Sequence, residues 1–122
     1  MKASKKPSVA VVILNWNGQQ HLANFLPSVL ASTYTNLSII VGDNASTDTS
    51  VAWLKQEYPQ IQVIENDKNY GFAGGYNQIL AKVDAEYFVL LNSDVEVTPH
   101  WIEPVVDSLE KNPNAATAQP KI

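Results

Sequence analysis

Tyr87-Phe88-Val89-Leu90-Leu91-Asn92-Ser93-Asp94 is the stretch on which the fold turns. Five apolar or aromatic residues run without a break and stop at a carboxamide, a hydroxyl and a carboxylate. The run is too short for a typical helix and rich in aromatics, so it reads as a strand buried on both faces. The polar triplet then stands at the strand's carboxyl end, the edge where open α/β sheets bind ligands. Asp94 is therefore the first candidate functional residue. The plainer reading of Asn92-Ser93-Asp94 is turn chemistry after a strand. The rest of the chain decides between the two.

Upstream, Val9-Ala10-Val11-Val12-Ile13-Leu14 is a second unbroken β-branched run, again a buried strand, and Asn15-Trp16-Asn17-Gly18 ends it with turn residues. Leu22, Phe25, Leu26, Val29 and Leu30 follow at helical spacing. Pro27 falls inside that pattern and predicts a kink or a shortened helix. His21 opens the helix and reads as solvent-facing or capping. Leu37-Ser38-Ile39-Ile40-Val41-Gly42-Asp43 is the next strand, also closed by an aspartate. Residues 44–50 are dense in N-capping types and lead into a helix carrying Val51, Trp53, Leu54 and Tyr58, which Pro59 ends. Ile61-Gln62-Val63-Ile64-Glu65 alternates and reads as a short edge strand. Asn66 to Gly71 is loop, and the next helix enters at Phe72 and runs through Ile79, Leu80 and Val83.

Beyond Asp94, Val95-Glu96-Val97 is a brief extended piece. Thr98-Pro99 predicts a cap with proline at the first helical position. Trp101, Ile102, Val105, Val106 and Leu109 give that helix an apolar face, and Asn112-Pro113-Asn114 stops it. Ala115 to Pro120 is a candidate fifth strand. Strand and helix thus alternate throughout, which predicts a mostly parallel sheet with right-handed crossovers. The expected architecture is three-layer α/β/α, Rossmann-like, with strand order 3-2-1-4. Residues 1–7 are expected to be a basic flexible tail and residues 8–122 a single domain.

Composition narrows the function. With 122 residues, 45% hydrophobic and 16% charged, the chain can bury a core. It has no cysteine, which excludes a disulfide framework and thiolate metal sites. No apolar run approaches the ~20 residues of a membrane-spanning helix, and the basic start lacks the apolar centre of a signal peptide. The expected location is the cytoplasm. Lys2, Lys5 and Lys6 lie in the tail, so the folded part sets five lysines against twelve carboxylates and has no arginine. That argues against a nucleic-acid partner. It also leaves no bidentate guanidinium clamp for a phosphate.

In the order 3-2-1-4, strand 1 separates the strands that end in Asp43 and Asp94. At ~4.8 Å per strand, the two ends stand roughly 10 Å apart, room for a nucleoside. One aspartate can then hold a base while the other faces phosphates. In so acidic a chain, the second role requires a divalent cation, Mn2+ or Mg2+, between Asp94 and a diphosphate.

Four stretches carry a family resemblance: Val9 to Gly18, Val41 to Ser50, Asn69 to Asn77 and Leu90 to Asp94. Together, and in this order, they resemble family 2 glycosyltransferases of the GT-A fold over almost the whole chain. The resemblance implies that Asp43 contacts the nucleobase, with Asn15, Asn17 and Asn44 beside the nucleotide. Asn92-Ser93-Asp94 stands where the family has its Asp-x-Asp motif. Asp94 is then the metal ligand, with Asn92 in place of the first aspartate and Ser93 beside it at the nucleotide. The implied donor is a UDP- or dTDP-linked sugar and the acceptor a glycan or a lipid-linked molecule, the latter placing the enzyme at the inner face of the membrane. The Asn-Trp-Asn-Gly opening resembles transferases of rhamnose or related sugars in bacterial polysaccharide synthesis.

The family's catalytic base and acceptor region lie beyond the Asp-x-Asp strand. They are expected beyond Ile122, so the chain reads as the nucleotide-sugar-binding half of a longer enzyme, inactive by itself. A sheet lacking that half is expected to expose apolar surface, and a homo-oligomer is one way to hide it. Several alternatives have weaker support. A dinucleotide-binding domain wants Gly-x-Gly-x-x-Gly after strand 1. A nucleotidyltransferase would show a glycine-rich basic loop there. A serine hydrolase would show Gly-x-Ser-x-Gly. None of these occurs. The non-enzymatic alternative is a nucleotide-binding or scaffolding half-domain. Gly71, Gly74 and Gly75 read as helix–sheet packing and a turn, and Trp16, Trp53 and Trp101 as core or rim packing.

Overall fold

The computed structural model describes residues 7–93 and 95–111. The elements, in chain order, are β1 (Val9–Asn15), α1 (Gln19–Leu30), β2 (Leu37–Asp43), α2 (Ser50–Glu57), β3 (Gln62–Glu65), α3 (Gly71–Leu80), β4 (Tyr87–Asn92) and α4 (Ile102–Lys111). The four strands form one parallel sheet in the order β3-β2-β1-β4. Asp43 pairs with Asn15, and Asn92 with Leu14, so β1 ends between the polar ends of β2 and β4.

The β-branched run of β1 makes it the central strand, and alternate residues serve opposite faces. Val9, Val11 and Ile13 pack with Leu22, Leu26 and Val29 of α1, Leu54 of α2, and Ile102 and Val106 of α4. Ala10 and Val12 pack with Tyr76 and Ile79 of α3. Three helices on one face and one on the other give the three layers. Full burial of each large side chain contributes about 1.5–3 kcal/mol. Gly42 shows how closely α3 approaches: a Cβ there would sit 2.4 Å from Ile79 Cγ1. Only a strand glycine admits the helix at that distance.

Three expectations need correction. β4 is covered on one face only: Phe88 is 41% and Leu90 50% exposed, because α3 lies over β1 and β2 and leaves the outer strand bare. Hydrophobicity along a run does not report whether a helix reaches it. The third helix, expected to run through Val83, ends at Leu80, while Pro27 stands inside α1, which continues to Leu30. The last helix starts at Ile102, not at Pro99. The segment before it is bonded to α1 and its following loop instead: Ser28 Oγ accepts from Val97 N at 3.1 Å, Thr33 N donates to Pro99 O at 2.9 Å, and the Trp101 indole donates to Ser32 Oγ at 2.7 Å. The tail up to Lys6, Asp94 and the candidate fifth strand lie outside the described residues.

Candidate functional site

The carboxyl ends of β1, β2 and β4 carry the polar residues singled out from sequence. Asp43, the last residue of β2, is 2% exposed. Its Oδ1 accepts from Asn15 Nδ2 at 2.9 Å and from Ser46 Oγ at 2.7 Å, and its Oδ2 accepts from Ser46 N at 2.9 Å. Three donors offset the cost of burying this carboxylate. Asn15 is fully buried; its Oδ1 accepts from Gly18 N at 3.1 Å, and its second amide hydrogen goes to Ser46 Oγ at 3.2 Å.

The loop after β1 is tied to the loop after β2. Asn17 Oδ1 accepts from Thr47 N at 2.7 Å and Asp48 N at 3.1 Å, and Asn17 N donates to Ser46 Oγ at 2.8 Å. Asn17 and Ala45 both have positive φ, 51° and 65°. Asparagine tolerates that region, whereas alanine is strained in it. Such strain persists only where surrounding bonds over-determine the turn. Here the Ser46 amide and hydroxyl, both turned back onto Asp43, supply those bonds.

Asn44 closes the other side. Its Oδ1 accepts from Asn66 Nδ2 and Tyr70 N, both at 3.1 Å, and its Nδ2 donates to Asn69 Oδ1 and Gly71 O, both at 3.0 Å. All four capacities of the amide are used. Gly75 is small for this reason: a Cβ there would lie 2.8 Å from Asn44 Nδ2. Gly71, at φ 77°, makes the turn into α3. The packing-and-turn reading of these glycines therefore holds. The buried Asn66 Oδ1 accepts no hydrogen bond from a described residue.

The capping-rich stretch 44–50 mostly does not cap. The N-cap of α2 is Thr49, which makes no side-chain cap bond, while Ser46 and Thr47 reach across to β1's loop. Asp48 alone serves the helix, accepting from the Ser50 amide and hydroxyl. Burial pushes its carboxyl up, but these bonds outweigh burial and hold it below its ordinary value.

At the end of β4, Asn92 is exposed and Ser93 half-buried, and neither side chain bonds to a described residue. Ser93 Oγ faces the β1 loop, 3.7 Å from where a Gly18 Cβ would stand. Of the three tryptophans expected in the core or on the rim, Trp16 stands on this rim, 55% exposed, whereas Trp101 is buried and Trp53 packs edge-on against Tyr58. Among the described residues no group of three or more histidines or carboxylates could hold a metal ion. A cleft of about 310 Å³ opens at the opposite end of the sheet, between Leu30, Leu37, Ile39 and Ile61. It has no titratable lining and is separate from this rim.

The structure thus brings together Asn15, Asn17, Asp43 and Asn44 in one bonded cluster, with Asn92 and Ser93 across β1. Sequence reading missed Ser46, Asn66 and Asn69. Ser46 looked like one of several caps, and nothing local marked it.

A parallel sheet in the order 3-2-1-4, with a polar rim at its carboxyl ends, defines a Rossmann-like domain. The profile of Glycosyl transferase family 2 matches residues 10–121. The chain belongs to that family. An uncharacterised glycosyltransferase of Haemophilus influenzae is 34% identical over 109 residues, covering 87% of this chain and 34% of its own. An N-acetylglucosaminyl-diphospho-decaprenol L-rhamnosyltransferase of Mycobacterium tuberculosis is 27% identical, covering 92% of this chain and 40% of its own. The chain thus spans between a third and two-fifths of the length of these relatives.

Among solved structures, S. aureus TarS 1-349 in complex with UDP-GlcNAc superposes with a TM-score of 0.74 at 16% identity, over 85% of this chain and 31% of that one. The mannosyltransferase PcManGT from Pyrobaculum calidifontis, in complex with GDP-Man and Mn2+, superposes with a TM-score of 0.67 at 23% identity, over 76% and 29%. At these identities the likeness establishes the fold. No helix among the described residues is long and apolar enough to cross a membrane.

Proposed function

We propose that this chain is the donor-binding part of an inverting glycosyltransferase that moves a sugar from a nucleoside-diphosphate sugar to an acceptor hydroxyl in bacterial polysaccharide or cell-surface glycan synthesis. The observation that carries the reading is the pair of strand ends flanking β1: a carboxylate held by three donors at Asp43, and polar side chains at Asn92 and Ser93 that no described residue bonds. Family membership supports the reaction class, and the rhamnosyltransferase relative supports the polysaccharide context.

In this reading Asp43 takes the nucleobase of a UDP- or dTDP-linked donor. Asn15, Asn17 and Asn44 hold the loops around it. Trp16 rims the entrance, and Asn92 and Ser93 flank the diphosphate. Asp94 is the proposed ligand of Mn2+ or Mg2+, and the hard oxygen donors of Asn92 and Ser93 before it suit such a cation. A bound cation would offset negative charge on the departing diphosphate. The acceptor hydroxyl needs a general base. Asp43 and Asp48 are already committed to protein donors, so the base is assigned outside the described rim. The chain alone is then expected to transfer no sugar.

Titration calorimetry with UDP and dTDP, with and without Mn2+, tests the reading. Binding that the metal strengthens, and that Asp94→Ala makes metal-independent, supports it. Equal binding in EDTA removes the cation, and no binding of either nucleotide removes the donor site. Release of nucleoside diphosphate from a panel of sugar donors and acceptors would overturn the expected inactivity.

A further inference from the structure

We infer that Ser46 is a positioning residue for base selectivity: it fixes the Asp43 carboxylate so that, among the described residues, one acceptor position, on Oδ2, stays without a partner and is left for the ligand. The inference deepens the donor-site reading and rests on it. A carboxylate offers about four acceptor positions. Asn15 Nδ2 and Ser46 Oγ fill both on Oδ1, and Ser46 N fills one on Oδ2. Ser46 therefore supplies two of the three bonds.

Its hydroxyl has no freedom left. The one hydrogen goes to Asp43, and the oxygen accepts from Asn17 N at 2.8 Å and Asn15 Nδ2 at 3.2 Å. The rotor is thus locked with its proton toward the carboxylate. The backbone φ of 65° at Ala45 keeps the Ser46 amide aimed the same way.

A carboxylate held in this state can only accept. The remaining position suits a base with a ring N–H, as in uracil, thymine or guanine. Cytosine offers its ring N3 as an acceptor, and two acceptors facing each other repel. Without the Ser46 hydroxyl the carboxylate loses a donor and can rotate, and the penalty against cytosine falls. Selectivity between UDP and CDP is therefore the signature of positioning. A merely structural role would weaken both nucleotides alike.

The experiment is calorimetric titration of UDP and CDP, in Mn2+, into the wild-type chain and into Ser46→Ala, Ser46→Thr and Ser46→Cys. The wild type is expected to favour UDP by about tenfold or more, the size of one well-placed charge-assisted hydrogen bond. Ser46→Ala should bring the ratio close to one, mainly by weakening UDP. Ser46→Thr, which keeps the amide and the hydroxyl, should restore it. If Ser46→Ala does not fold, Ser46→Cys, with its weaker donor, should give an intermediate ratio. A wild-type preference retained in Ser46→Ala or Ser46→Cys overturns the role of Ser46 and leaves the donor site standing. Equal loss of UDP and CDP in Ser46→Ala does the same. A wild type that binds neither nucleotide overturns both readings.

Discussion

The ends of β2 and β4 stand on either side of β1, yet among the described residues one is bonded throughout and the other is left to solvent. At β2, Asp43 and Asn44 are buried, and protein partners take three of the carboxylate's positions and every position of the amide. At β4, Asn92 and Ser93 reach solvent without a described side-chain partner. The cause is topological. β2 lies between β1 and β3, so loops from both sides close over its end, whereas β4 is the outer strand among the described residues. One rim thus holds two kinds of polar end: one whose side chains protein bonds fix in place, and one whose described side chains face solvent.

The comparison makes its largest claim at Asn44. Asn44→Ala should cost about 3 kcal/mol, because it empties the space of a buried amide and unpairs the buried Asn66 amide together with three part-buried groups. Asn92→Ala should cost less than about 0.5 kcal/mol, as exposed substitutions do. Urea unfolding of the two variants checks this, and equal costs would break the comparison. Gly75→Ala should come next, at about 2 kcal/mol, since its Cβ meets the immobilised Asn44 amide at 2.8 Å. Gly71→Ala tests the other use of glycine: the space there is open, and the cost of about 1 kcal/mol comes from φ alone.

β4 is tethered near its end by the Tyr76 hydroxyl, which donates to Leu91 O at 3.0 Å. Tyr76→Phe should cost about 1 kcal/mol. Burial raises the Tyr76 phenol above its ordinary value of 10.0. The folded chain therefore keeps this proton to higher pH than the unfolded chain does. Its contribution is intact below the ordinary value and is lost as pH rises from there through the raised value. Thermal melts between pH 9 and pH 11 (about the range that matters) should fall less steeply in Tyr76→Phe than in the wild type. Identical slopes would free Tyr76 from this role.

The smallest stability effect should accompany a functional one. Ser93→Ala together with Asn92→Ala should leave the melting curve within about 0.5 kcal/mol of wild type while weakening UDP binding in Mn2+. Calorimetry beside a melt reads both quantities. Unchanged affinity would show that the open end of β4 faces no diphosphate.

The asparagines mark how far local sequence could be read. Each stood in a stretch recognisable as a turn, and six of the site candidates fall on the rim where they were expected. Their roles were not legible. Asn15 and Asn17 find partners 28 to 31 residues away, and Asn44 spans 22 to 27 residues to the loop after β3. A turn propensity acts within a few residues and carries no trace of such bonds. Ser46 was hidden for the same reason: serine before a helix looks like a cap whether or not it serves as one.

What the sequence by itself determined is the four described strands, their parallel order and the polar character of their carboxyl ends. Unbroken β-branched runs alternating with amphipathic helices admit few other packings, and crossover handedness removes most of those. Only the tertiary structure decided which of those polar ends is bonded by described residues and which is not, and which face of β4 is bare. Both depend on which loop or helix lies above a given residue, and α3 reaches β1 and β2 but stops short of Phe88 and Leu90. Burial belongs to the neighbour as much as to the residue, and neighbours are chosen by the fold.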